Sequence, residues 1–92
     1  LGQYEKAIPL YQRLVQGSDQ AIVSSAWSSL AKIYHAINDL KALHGALEQA
    51  ILSLANTDYP LAKGRVCIAV LKYGSEAQKA KLRPHLETLE LS

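Results

Sequence analysis

The chain has 92 residues, 49% of them hydrophobic and 20% charged, with a net charge of +2. That length suits one small domain with a single thin core and is too short for two. The ordinary balance of apolar and charged residues excludes a disordered chain, and so small a net charge leaves no footprint for nucleic acid or an anionic membrane.

The first segment carries Tyr4, Ala7, Ile8, Tyr11, Leu14 and Val15 at helical spacing, which predicts one buried helix face. Gly17-Ser18-Asp19 ends it, with Gly17 expected in the left-handed terminal turn and Ser18 or Asp19 as the next N-cap. A second helix follows, with Val23, Ala26, Trp27, Leu30, Ala31, Tyr34 and Ile37 on its apolar stripe. Asn38-Asp39 is the next break, because Asn tolerates the left-handed conformation and Asp accepts bonds from free backbone amides. A third helix places Leu40, Leu43, Leu47, Ala50, Ile51 and Leu54 in register.

Asn56-Thr57-Asp58 punctuates again, and Pro60 suits a first helical turn. From Leu61 to Tyr73 the chain is apolar nearly all round; a short apolar run also fits a buried strand. Ala62, Ala69 and Leu71 are good helix formers and no strand partner exists elsewhere, so the expectation is helix, weakened at Gly64 by about 1 kcal/mol relative to Ala. Gly74 stops it, and Ser75 with Gln78 has the form of a capping box. The last helix is expected to bury Ala77, Ala80, Leu82, Leu86 and Leu89, with a kink or break at Leu82–Arg83 caused by Pro84. The count is five helices and no strands, an all-α fold.

Charge is uneven along the chain. Lys63, Arg65, Lys72, Lys79, Lys81 and Arg83 follow Pro60, against Glu76, Glu87 and Glu90. Such residues ordinarily form a solvated helix face; the alternative is a footprint for an acidic peptide. Only Tyr73 interleaves with them, which argues against base stacking. No Ser/His/Asp cluster, phosphate loop or metal-ligand spacing occurs, so neither an enzyme, a cofactor nor a metal is expected. His35 and His44 stand on different helices, and His85 follows Pro84 among polar residues. The single cysteine, Cys67, excludes an internal disulfide and reads as a small core residue; it is compatible with a reducing, cytoplasmic setting. No apolar run approaches the roughly 20 residues a membrane span needs, and no signal-peptide pattern opens the chain.

Short connections make neighbouring helices antiparallel. Leu14 and Ala50 are 36 residues apart, as are Tyr4 and Leu40, a two-helix period that predicts stacked helical hairpins. At this point the residues resemble the tetratricopeptide repeat family. Leu1-Gly2-Gln3-Tyr4-Glu5-Lys6-Ala7-Ile8 looks like the start of a repeat's second helix, and Trp27, Leu30, Ala31 and Tyr34 are similar to the first helix of the next repeat. Asn38-Asp39 replaces the turn glycine, and Ala50 matches the small residue late in the second helix. Leu43 stands where the family prefers alanine, the proline usual at the repeat end is missing, and two extra residues precede Trp27. The likeness is clear over residues 1–55; residues 56–92 match loosely through Gly74, as a divergent repeat or capping pair. The resemblance implies one domain over 1–92, a short right-handed solenoid of antiparallel hairpins. With no methionine and an opening inside a repeat, the chain reads as a piece of a longer protein.

The family's first helices line a concave face. Here that face would present Ser25, Ser28, Ser29, Lys32 and His35 on the second helix, with Arg65 and Lys72 at matching places on the fourth. Some family members hold a peptide's terminal carboxylate with lysines and asparagines at fixed positions. Ser28 and Lys32 occupy the places of such a lysine and asparagine, so that clamp is not reproduced, and Arg65 is its one arguable member. The expectation is a scaffold that binds a peptide segment of a protein partner, acidic by charge, on these seven residues. Two alternatives stay open: self-association through an interface burying Val66, Val70 and Leu71, and a regulatory helical domain of a signalling or transcription regulator.

Overall fold

A computed structural model describes residues 2–56 and 59–91. Leu1, Thr57 and Asp58, used above to place boundaries, lie outside the described residues, as do the side chains of Leu86 and Leu89. The described residues form five α-helices and no strand: α1 Gly2–Leu14, α2 Gln20–Ala36, α3 Leu40–Ser53, α4 Pro60–Tyr73 and α5 Glu76–Leu91. A 3-10 turn, Leu54–Asn56, continues α3.

The punctuation has identifiable causes. Asp19 caps α2, its carboxylate accepting from the amides of Ala21 at 3.0 Å and Ile22 at 3.4 Å. At the other end of α2, Asn38 has φ 62°. Its amide donates to the His35 carbonyl at 3.1 Å and that of Asp39 donates to Tyr34 at 2.9 Å, the paired bonds of a Schellman motif with Asn in the left-handed place. Asp39 then starts α3 by accepting from the Ala42 amide at 3.2 Å. One dipeptide thus ends a helix and begins the next. Pro60 opens α4 as expected, and the box before α5 closes in both directions: Ser75 N donates to Gln78 Oε1 at 3.1 Å, and Gln78 N to Ser75 Oγ at 3.2 Å.

Other local expectations need correction. No glycine has positive φ among the described residues, so Gly17 is not the left-handed residue after α1; a 3.1 Å bond from its amide to Leu14 O closes the turn instead. Gly74 does end α4, but in extended backbone, φ −78° and ψ 160°. Helix α5 runs through Pro84 rather than breaking. The carbonyl deprived of a donor by a helical proline belongs to the residue four places earlier, and Ala80 is exposed, so solvent can satisfy it. Pro9 inside α1 stands in the same relation to exposed Glu5.

Helix α2 is the centre of the packing. It meets α1, α3 and α4; α3 also meets α4 and α5, and α4 meets α5. Helices next but one in the chain therefore lie side by side, and the whole is a slab of 41 × 29 × 15 Å. The core joins Leu30, Leu43, Leu47, Val66, Val70 and Leu82, all at most 1% exposed, with Ala31, Ala46 and Ala50 letting backbones approach. Two buried hydroxyls bridge α2 and α3: Ser24 Oγ and Ser53 Oγ are 2.7 Å apart. Ser53 gives its one proton to the Ala50 carbonyl at 2.6 Å, so Ser24 is the donor of the pair.

The predicted stripes are too wide at their ends. In α1 and the turn after it, Ile8, Tyr11 and Val15 pack on the core, while Tyr4 and Leu14 are 38% and 43% exposed. Ile37 and Leu40, beside the Asn38 turn, are exposed too. The all-apolar α4 resolves into a buried side (Ala62, Val66, Cys67, Ala69, Val70) and an open one (Leu61, Ile68, Leu71). Helix α5 buries Gln78 and Leu82, not Ala77 and Ala80.

Candidate groove between α1, α2 and α4

Parallel placement of α2 beside α4, with α1 on the other flank, leaves a groove along α2 made of three shallow hollows. The first, about 390 Å³, lies where α2 and α4 begin and is lined by Leu14, Ile22, Ser25, Tyr59, Leu61 and Arg65 among others. The second, about 300 Å³, lies further along, between Ser28, Ser29 and Lys32 on α2 and Arg65, Ile68 and Lys72 on α4. The third, about 490 Å³, lies between α1 and the end of α2, with Tyr4, Tyr11, Lys32, His35 and Tyr73 in its wall. Ser29 borders all three, which makes them one continuous depression.

All seven residues picked from sequence therefore line this one depression: helical spacing gives each set one side of its own helix, and the packing of α2 beside α4 brings the two sides together. They are not equally available. Ser28 is buried and donates its hydroxyl to the Ser24 carbonyl at 3.0 Å, so its proton is already used. His35 lies against Tyr73, ring centroids 4.4 Å apart and planes tilted by 35°, which fixes both at the far end of the groove. Ser25 and Ser29 are half-buried, and Lys32, Arg65 and Lys72 are exposed.

Among the described residues, no Asp or Glu lines any of the three hollows. The ion pairs among the described residues, Lys79–Glu76 and Lys81–Glu48, lie elsewhere, so Lys32, Arg65 and Lys72 face the groove with their charges uncompensated. Four of the five tyrosines (Tyr4, Tyr11, Tyr59 and Tyr73) also line it. Sequence reading missed them: they come from α1, from the residue before α4 and from the end of α4, and no local pattern joins those places. Trp27 belongs to the opposite side, partly buried against the core and beside a smaller hollow with Val15 and Leu52.

Among the described residues no group of three His, Cys, Asp or Glu could hold a metal ion. Cys67 is buried outside the groove; burial pushes its thiol pKa up, with a backbone hydrogen bond and the charge of Lys63 opposing weakly. No helix of the described residues is long and apolar enough to cross a membrane. Comparison with known proteins finds no matching family model, no curated relative and no solved structure.

Proposed function

We propose that this chain is a protein–protein interaction scaffold of the tetratricopeptide type that takes a peptide segment of a partner along α2. The observation that carries the reading is the groove itself: hydroxyls, three cations without an ion-pair partner among the described residues, and open aromatic and aliphatic side chains share one depression that no described acidic residue lines. Such a surface offers donors for peptide carbonyls and carboxylates, and apolar area for side chains. The repeat interpretation is supported by the 36-residue period and by the contacts of α2 with α4 and α3 with α5, which stacked hairpins require. A buried, unpaired thiol suits a reducing compartment such as the cytoplasm.

Selection from a peptide library, followed by Lys32→Glu and Arg65→Glu, tests this reading. Selected peptides should be enriched in acidic residues, and each reversal should weaken them about tenfold or more. Selected peptides without acidic bias, bound equally by both variants, would place the site elsewhere.

Self-association is the second reading, and the structure narrows it. Val66 and Val70 are fully buried inside the monomer, so an interface of Val66, Val70 and Leu71 is corrected to one using the open side of α4: Leu61, Ile68 and Leu71, which are 80%, 57% and 50% exposed. Light scattering that gives a mass rising with concentration, and returning to the monomer on Ile68→Glu, would support it.

A further inference from the structure

The groove is chemically polar along its length. Where α2 and α4 begin, its walls are Leu14, Ile22, Tyr59 and Leu61, exposed by 43%, 46%, 67% and 80%. Where they finish, its walls carry Lys32 and Lys72 together with Ile68, and His35 and Tyr73 lie beyond. Arg65 stands between, bordering both of the first two hollows. We propose that the groove reads an extended peptide in which an apolar segment and an acidic segment are separated along the chain, the apolar one seated at Tyr59 and Leu61 and the acidic one at Lys32 and Lys72. This deepens the reading of the groove as a peptide site and rests on it.

Charge complementarity selects this occupant. The cationic end has no acidic wall and no ion-paired lysine among the described residues. The carbonyl ends of α2 and α4 point the other way electrostatically, each carrying about half a negative charge. Those of α2 are already bonded to the Asn38 and Asp39 amides, and whole side-chain cations facing the groove outweigh them. An even cationic track would suit a nucleic-acid backbone; a groove with one apolar end does not. Hollows of about 300–390 Å³ hold a side chain or two rather than the 10–12 Å cylinder of a helix.

The spacing follows from helix geometry. From Ile22 to Lys32 the α2 axis advances about 15 Å, and from Leu61 to Lys72 the α4 axis advances about 16 Å. An extended peptide covers that in about four or five residues. Partners should therefore place their apolar anchor about that far from their first carboxylate.

The experiment uses the 92-residue chain and synthetic peptides that join a Leu-Ile block to an Asp-Glu block through Ser-Gly spacers. Fluorescence anisotropy compares these with composition-matched scrambles and with oligo-dT. The peptide with a spacer of about four residues should bind about tenfold tighter than its scramble and than one with no spacer. Lys32→Glu with Lys72→Glu should weaken binding and abolish or reverse its salt dependence. Tyr59→Ala with Leu61→Ala should weaken binding about tenfold while leaving that dependence intact. All four positions are exposed, and circular dichroism of each variant confirms that the fold is kept. Equal affinity for scrambled and ordered peptides overturns the separated pattern and leaves the peptide site standing. Binding of oligo-dT but of no peptide overturns both.

Discussion

Asn38 shows how a single residue carries a helix boundary. Its φ of 62° costs an L-residue about 1–2 kcal/mol, least for Asn and nothing for Gly. Asn38→Gly should therefore leave stability equal or raise it by up to about 1 kcal/mol, whereas Asn38→Val should lower it by about 1–2 kcal/mol; urea midpoints at unchanged m-value measure both. Gly74 is held by space, not by dihedral angle. A Cβ there would sit 2.5 Å from the Val70 carbonyl oxygen, a backbone atom that cannot swing away, and the Gly74 amide already bonds that oxygen at 2.7 Å. Gly74→Ala should cost about 1–3 kcal/mol in thermal unfolding, while Gly64→Ala, with nothing within 4 Å, should be neutral or stabilising because Ala is the better helix former. Glu48 gives a pH signature. The hydrogen bond from Lys81 holds its carboxyl below the ordinary value of 4.5, desolvation opposes, and Gln78 and the charge of Lys81 add to the lowering. A lowered folded pKa stabilises above the ordinary value and loses that contribution as pH falls through the folded one. The Glu48 side chain is 40% exposed, so solvent screening keeps the effect small. The melting difference between the natural chain and Glu48→Gln should be largest at neutral pH and should close below pH 4.5.

Among the elements, α5 is attached by the narrowest strip. Leu82 is its fully buried apolar anchor among the described side chains, and Gln78, 3% exposed, is its polar one. The Gln78 amide donates to the His44 carbonyl at 2.9 Å and to Glu48 at 3.3 Å while its oxygen caps its own helix. Lys81 adds a salt bridge to Glu48 at 3.0 Å. Capping and docking are thus the same side chain, so a change there acts on both. Leu82→Ala should cost about 2–5 kcal/mol, the range for buried leucines. Because α5 meets α3 and α4 but not α2 in any extensive way, the loss should appear first as faster amide exchange in α5. Uniform acceleration across all five helices would show instead that α5 is inseparable from the core.

At the scale of the whole molecule, one core runs through α2, α3 and α4 and takes in Leu82 of α5, and α1 with the turn after it leans on that core through Ile8, Tyr11 and Val15, none fully buried. Amide protection should therefore be highest in α2 and α3 and lower in α1 and α5; native-state hydrogen exchange that ranks α1 with the core would contradict this. The same arrangement creates the groove, since α1 and α4 lie on either side of α2 and leave side chains such as Tyr4, Leu14, Leu61 and Ile68 exposed. On the proposed reading, a groove kept open by the core would need no rearrangement to receive an extended chain, and association should be rapid and salt-sensitive.

Periodicity and capping chemistry were enough to determine five helices, their breaks at Asn38 and Gly74, the Ser75–Gln78 box and, within each helix, the shared side of Ser25, Ser29 and Lys32 and that of Arg65 and Lys72. Each depends on residues within a few positions of one another, where helix geometry alone sets direction. Tertiary structure decided the rest. It buried Val66 and Val70 inside the monomer, spent the Ser28 hydroxyl on α2 itself, turned Ala77 and Ala80 outward, and brought Tyr4, Tyr11, Tyr59 and Tyr73 to the lysines of α2 and α4. An apolar residue can be assigned to a face by its spacing, but whether that face meets another helix or solvent depends on how distant segments pack, and local pattern holds no record of that.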